Sequence, residues 1–140
     1  MQVFIVGSPL ETAEALDAKR LNKQIIECQQ ILDALNGKHA WRNHPCTLQY
    51  RGHEKWLERY IRCLTLYRRQ AILYAGVCSY LAKMCTPPFH TQEYFSQMKR
   101  RLYTKNKEHY KQWAHLGESQ ENWYFVNDEW CKYINGKRID

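Results

Sequence analysis

Apolar residues recur along this chain at a helical period for most of its length and at a strand-like period only near its end. Leu21, Ile25, Cys28, Leu32 and Leu35 follow one another at steps of 4, 3, 4 and 3, the apolar stripe of an amphipathic helix. The start is signalled upstream. Ser8 stands as an N-cap, Pro9 takes the first helical position and Glu11 falls three residues after the cap, while Gly37 provides the stop. One helical pattern is therefore expected from Ser8 to Asn36. A second runs from about His53 to Lys83, with Leu57, Ile61, Leu64, Tyr67, Ala71, Tyr74, Cys78 and Leu81 at core spacing. Gly76 inside it marks close packing or a break, and Thr86-Pro87-Pro88 ends it. A third helix is expected from His90 to about Thr104, with a short one around His109 to His115.

Between these, Met1 to Gly7 reads as a short extended arm and His39 to Arg51 as a connector. The tail from Gly117 is aromatic and irregular. It leaves room for short strands at Trp123–Val126 and Trp130–Ile134 about an Asn127-Asp128 turn. The expected fold is mainly α: a compact bundle of about three main helices with an irregular aromatic C-terminal tail, in one domain over residues 1–140.

Composition narrows the classes. At 140 residues, 44% hydrophobic and 25% charged, the chain can bury one real core and is not a disordered segment. No apolar run reaches the roughly 20 residues that span a membrane. Met1 to Val6 is too short and lacks the basic start of a signal peptide, so a cytoplasmic location is expected. The six cysteines include no CxxC pair, and Cys28, Cys63 and Cys78 sit among apolar residues, which reads as reduced, buried thiols. Only His44 and Cys46 lie close enough to suggest a metal, too few for a zinc site.

Charge adds a direction. Twenty-one Lys and Arg against 14 acidic residues give +7, a balance that suits a polyanion. Five Trp, ten Tyr and four Phe offer stacking surfaces among those cations. On the first long helix Arg20, Lys23, Gln24 and Glu27 fall at 0, +3, +4 and +7 and share one face, bordered by Lys19. By pattern alone this is equally a solvated charged face with ion pairs along the helix.

A resemblance sharpens the reading. The stretch Leu16-Asp17-Ala18-Lys19-Arg20-Leu21-Asn22-Lys23-Gln24-Ile25-Ile26-Glu27 resembles the catalytic-glutamate helix of the pyrimidine-dimer DNA glycosylase/AP lyase (endonuclease V-type) family. A frequent form of that helix is L-D-x-K-R-L-x-K-Q-x-x-E. Trp41-Arg42-Asn43-His44-Pro45 and Tyr50-Arg51-Gly52-His53-Glu54 are similar to the next family block. Arg101-Leu102 with Lys105, then His109-Tyr110, resemble the block that supplies phosphate contacts. Trp123-Tyr124 and Tyr133-Ile134-Asn135-Gly136-Lys137 resemble the C-terminus of the best-known branch.

The resemblance implies a DNA-repair enzyme acting on damaged double-stranded DNA as a monomer, with no metal or organic cofactor. In the family the nucleophile is the α-amine of the first residue. Such amines ordinarily titrate at roughly 7.7–8.0 and are partly unprotonated at neutral pH, unlike lysines. The amine attacks C1′ of the damaged nucleotide and expels the base. The resulting Schiff base then undergoes β-elimination and nicks the strand. A carboxylate beside C1′ stabilises positive charge and moves protons. Carried over, Met1 supplies the amine, since the bulk of Gln2 blocks removal of Met1, and Glu27 the carboxylate. Lys19, Arg20, Lys23, Gln24, Arg42, Arg101, Lys105 and Lys137 are the expected DNA contacts.

Several candidates keep two readings. His44 and His53 either reach DNA or serve packing and capping. Trp123 and Tyr124, with Trp130 and Tyr133, form a stacking wall or close a small core over the tail. Trp41 is expected in the core, and Lys55, Arg59, Arg62 and Arg69 on a solvated helix face. Two further functions fit the sequence: a DNA-binding protein of this fold without catalysis, and a glycosylase for another modified base.

Overall fold

A computed structural model describes residues 1–38 and 40–140; His39, part of the expected connector, lies outside the described residues. The chain runs through α1 (Pro9–Ala15), α2 (Ala18–Leu35), α3 (Pro45–Gln49), α4 (Glu54–Arg68), α5 (Ile72–Lys83) and α6 (Gln92–Lys105). A 3-10 helix (Lys111–Leu116) follows, then strands β1 (Asn122–Val126), β2 (Glu129–Ile134) and β3 (Lys137–Arg138). The mainly α expectation holds. Among the described residues no helix is long and apolar enough to cross a membrane.

Both long helical patterns are broken where the periodicity is silent. Ser8 caps α1 with a complete capping box, its hydroxyl accepting from the Glu11 N–H and its own N–H donating to the Glu11 carboxylate. The helix stops at Leu16 because the Asp17 N–H donates to the hydroxyl of Tyr110 at 2.9 Å instead of continuing the helical ladder. The Asp17 carboxylate then receives Tyr110 Oη at 2.5 Å, Arg20 at 3.1 Å and Asn106 at 3.3 Å. Burial alone would raise its pKa, but those three donors outweigh burial and hold it below the usual carboxylate range. The second break is a Schellman closure. The Ala71 N–H reaches the Leu66 carbonyl and the Gln70 N–H that of Tyr67, with Gln70 in the left-handed region at φ 65°. Glycine usually takes that position, so a helix stop written with glutamine is invisible to a reading that looks for Gly or Pro.

The tail is not irregular. β1, β2 and β3 form an antiparallel sheet in that order, with Tyr124 opposite Cys131 and Tyr133 opposite Arg138. Asn127 and Asp128 both adopt positive φ, as do Asn135 and Gly136, so each connection is a two-residue turn matched to strand twist. The core gathers Trp56 and Tyr60 from α4, Tyr50, Tyr94 from α6, and Val3 and Ile5 from the arm, each at most 1% exposed. Trp41, expected there, is 45% exposed in a connector turn at φ 64°. Four cysteines, Cys28, Cys46, Cys63 and Cys131, are buried; Cys78 and Cys85 are partly so, and all six are free thiols.

The N-terminal arm runs through the interior, and side chains satisfy its backbone. Gln24 accepts from the Phe4 N–H at 2.9 Å and donates to the Gln2 carbonyl at 2.8 Å. Tyr94 donates to the Val3 carbonyl, Tyr60 to that of Phe4 and Tyr124 to that of Met1. Gln2 faces the free edge of β1. Its amide accepts from the Trp123 N–H and donates to the Trp123 carbonyl, both at 3.0 Å, as a neighbouring strand would. Gln49 covers the next edge donor, accepting from the Phe125 N–H.

Candidate active site

This arm delivers Met1 to a cleft of about 130 Å³. Its walls are the arm (Met1, Gln2, Phe4), one face of α2 (Lys19, Arg20, Lys23, Gln24, Glu27), the C-terminal half of α6 (Arg101, Lys105) and Asn122 at the start of β1. The α2 spacing read from the sequence therefore points into a concave site and not to open solvent. Glu27 is largely shielded, its side chain 15% exposed, with the Lys23 ammonium 3.9 Å away.

The cations divide by what holds them. Lys19, Lys23 and Lys105 are exposed. Partial desolvation of its ammonium against the cleft wall lowers the pKa of Lys105, and the like charges of Arg101, Lys23 and Arg20 lower it further, against the opposing pull of Glu27. Such crowded cations favour an incoming anion. Arg20 is committed to Asp17 and reaches towards the Lys105 carbonyl. Arg101 is 9% exposed, donating through Nε to Asn122 at 3.0 Å and through a guanidinium nitrogen to the Ser119 carbonyl at 3.2 Å. It is thus tied to the sheet as well as facing the cleft.

Gln24, expected among the DNA contacts, lines the cleft and is engaged with the arm. It is 1% exposed and both ends of its amide are spent on the arm. Trp123 and Tyr124 are 7% and 2% exposed, so they close a small core and offer no stacking wall. Trp123 Nε1 donates to Glu121, with the Lys132 ammonium 4.7 Å from its ring centroid. His44 caps α3 through Nδ1, which accepts from the Cys46 N–H, and stands edge-on to Tyr124. Burial lowers its pKa, and the charge of the Met1 amine adds to that. His53 begins α4 and packs edge-on against Phe89. Arg42 and Lys137 are exposed and lie outside the cleft wall.

Sequence reasoning missed the holders of the arm: Gln2, Tyr60 and Tyr94, with Gln24 in that role. Each is a polar residue at a buried position, and a buried polar group needs a partner that no periodicity names.

No curated protein and no solved structure matches the chain. A family model does: the one for pyrimidine dimer DNA glycosylases matches residues 1–66, the stretch containing the arm, the α2 motif with Glu27 and the His44 cap. The match covers 66 of the 140 residues and supports the likeness that the α2 motif carries.

Proposed function

We propose that the chain excises damaged pyrimidines, dimers first among them, from duplex DNA and nicks the strand at the resulting site. The observation that carries this reading is that Met1 and Glu27, 26 positions apart, line one cleft rimmed by Lys19, Arg20, Lys23 and Lys105. In this mechanism the Met1 α-amine attacks C1′ of the damaged nucleotide, and the glycosidic bond breaks with its electrons leaving on the base. The imine so formed acidifies C2′, and loss of that proton expels the 3′ phosphate. Glu27 stabilises the positive charge at C1′ and carries protons. The cations hold the backbone while the duplex is distorted to expose C1′, at a cost of a few kcal/mol.

The clamps on the arm support this assignment. An amine that must meet C1′ needs a fixed anchor, and the Met1, Gln2, Val3 and Phe4 carbonyls are each held by a side-chain donor. The test is borohydride trapping on duplex DNA carrying an abasic site. A covalent adduct on Met1, located by mass spectrometry, is the expected result. Acetylating the amine or placing residues before it should remove trapping and nicking while DNA binding persists. An adduct on a lysine, or tight binding with no adduct, would overturn the proposal.

A further inference from the structure

Trp41 gains little packing from its place in the fold. The other four tryptophans are buried or partly buried, whereas Trp41 is 45% exposed. Its backbone is held at φ 64°, a left-handed conformation that disfavours any residue with a Cβ. Strain kept at an exposed position points to a use beyond the fold itself. The indole stands edge-on to His44 at 5.6 Å. His44 is fixed through Nδ1, which accepts from the Cys46 N–H, and stands edge-on to Tyr124 at 5.7 Å. The Tyr124 hydroxyl donates to the Met1 carbonyl. Two rings therefore connect the exposed indole to the residue whose amine enters the cleft.

The chain around Trp41 is cationic. From Ala34 to His53 it carries Lys38, Arg42 and Arg51 and no acidic residue. All three cations are exposed, with Lys38 reaching back to Asp33 at 3.8 Å. An aromatic face set among cations suits single-stranded or unstacked nucleic acid, in which a base lies on the ring and the phosphates meet the charges.

We infer that Trp41 is the wedge of this protein: it stacks on a nucleobase beside the damaged nucleotide and holds the duplex open over the Met1–Glu27 cleft, with Arg42 on the adjoining phosphate. The inference rests on the proposed reading of that cleft and supplies a group the cleft lacks. Exposing C1′ unstacks a base from its neighbour, and an aromatic ring inserted at that step restores a stacking partner. Trp123 and Tyr124 are too deeply buried to serve. Trp41 presents its ring to solvent and needs no rearrangement of the core to be reached.

A duplex carrying a tetrahydrofuran abasic analogue with iodouracil as its neighbour tests this without chemistry at Met1, because the analogue has no aldehyde to form an imine. Irradiation should cross-link the iodouracil to Trp41, located by mass spectrometry. Trp41→Ala should bind the analogue duplex about tenfold to a hundredfold more weakly, the worth of one stacked base, with affinity for undamaged duplex unchanged. Trp41→Phe should recover most of that loss. Trp41→Gly accepts the positive φ without strain, so it should lose the same affinity while melting no lower than wild type. A cross-link on another aromatic residue would overturn the inference, as would a folded Trp41→Ala chain that keeps the wild-type preference for the analogue, even where borohydride traps Met1. Equal weakening on both duplexes with a lowered melting temperature would make Trp41 a packing residue and overturn it as well. A Trp41 cross-link without a Met1 adduct would count against the lyase chemistry and leave the stacking contact standing.

Discussion

Gln24 Nε2 donates to the Gln2 carbonyl at 2.8 Å while Gln24 Oε1 accepts from the Phe4 N–H at 2.9 Å, so one amide brackets Val3 and fixes the arm that ends at Met1. Glu27 lies one turn further along the same helix. The motif that carries the carboxylate thus also positions the amine.

Gln24→Leu keeps the bulk and removes both bonds, leaving a buried donor and a buried acceptor unsatisfied. Each such group costs about 1–3 kcal/mol, so chemical denaturation should show a loss on the order of 2–5 kcal/mol. Nicking should fall further than stability accounts for, because the amine loses its anchor. A variant with wild-type stability and activity would show that the bracket is idle.

How far the sequence reveals this arrangement depends on the kind of signal. The α2 stripe and the cleft-facing row Arg20, Lys23, Glu27 are periodic, and the structure keeps both. The break at Asp17 depends on Tyr110, 93 residues away, and no local pattern encodes it. Asn135-Gly136 is different, since Asn-Gly is a strong local signal for a two-residue turn, although the strand that follows it, Lys137–Arg138, has no apolar pattern of its own. Trp41 carries the opposite lesson. Hydrophobicity alone suggests the core, but it sits in a turn with positive φ beside a helix cap.

Glu27→Gln separates chemistry from binding. The change keeps shape and removes the charge facing the cleft, so DNA affinity should stay near normal. Nicking of dimer-containing DNA should drop by about 10²–10³ or more. Full nicking by a folded Glu27→Gln protein would remove the carboxylate from the mechanism.

Gln70→Gly tests the second helix break. A non-glycine residue in the left-handed region costs about 1–2 kcal/mol, partly offset because glycine gains more freedom in the unfolded chain. The variant should gain roughly 0.5–1 kcal/mol in urea unfolding, with activity unchanged. A loss of stability would mean that the Gln70 side chain contributes more than its backbone costs.

His90 makes stability depend on pH. Its imidazole lies among the Tyr50, Trp56, Phe89 and Tyr94 rings and shares a 2.8 Å hydrogen bond with Tyr50. Burial, with a smaller contribution from His53, pushes its pKa down to about 3. The unfolded chain binds this proton near pH 6.5, so between about 6.5 and 3 the unfolded state holds more protons. Stability is therefore fully present above 6.5 and falls as pH drops, by up to about 1.4 kcal/mol per pH unit. His44 and His53, also lowered by burial, add to the slope. The contribution of His90 is the difference between wild type and His90→Gln, which should be flatter. Equal slopes would show that His90 accepts its proton without cost.

Arg101 and Lys105 face the same cleft from neighbouring turns of α6 but should fail differently when removed. Arg101 is buried and bonded to Asn122 and to the Ser119 carbonyl, so Arg101→Ala strands two acceptors and should cost about 1–3 kcal/mol of stability. Lys105 is exposed and pressed by Arg101, Lys23 and Arg20. Lys105→Ala relieves that repulsion and should leave stability unchanged or slightly higher. Its loss should appear in DNA binding, where one fewer phosphate contact lowers the slope of log affinity against log salt by about one unit. Measuring melting and salt-dependent binding for both variants separates the roles. If Lys105→Ala binds DNA with the wild-type slope, its ammonium is merely solvated and the phosphate track must run along Lys19 and Lys23 on α2.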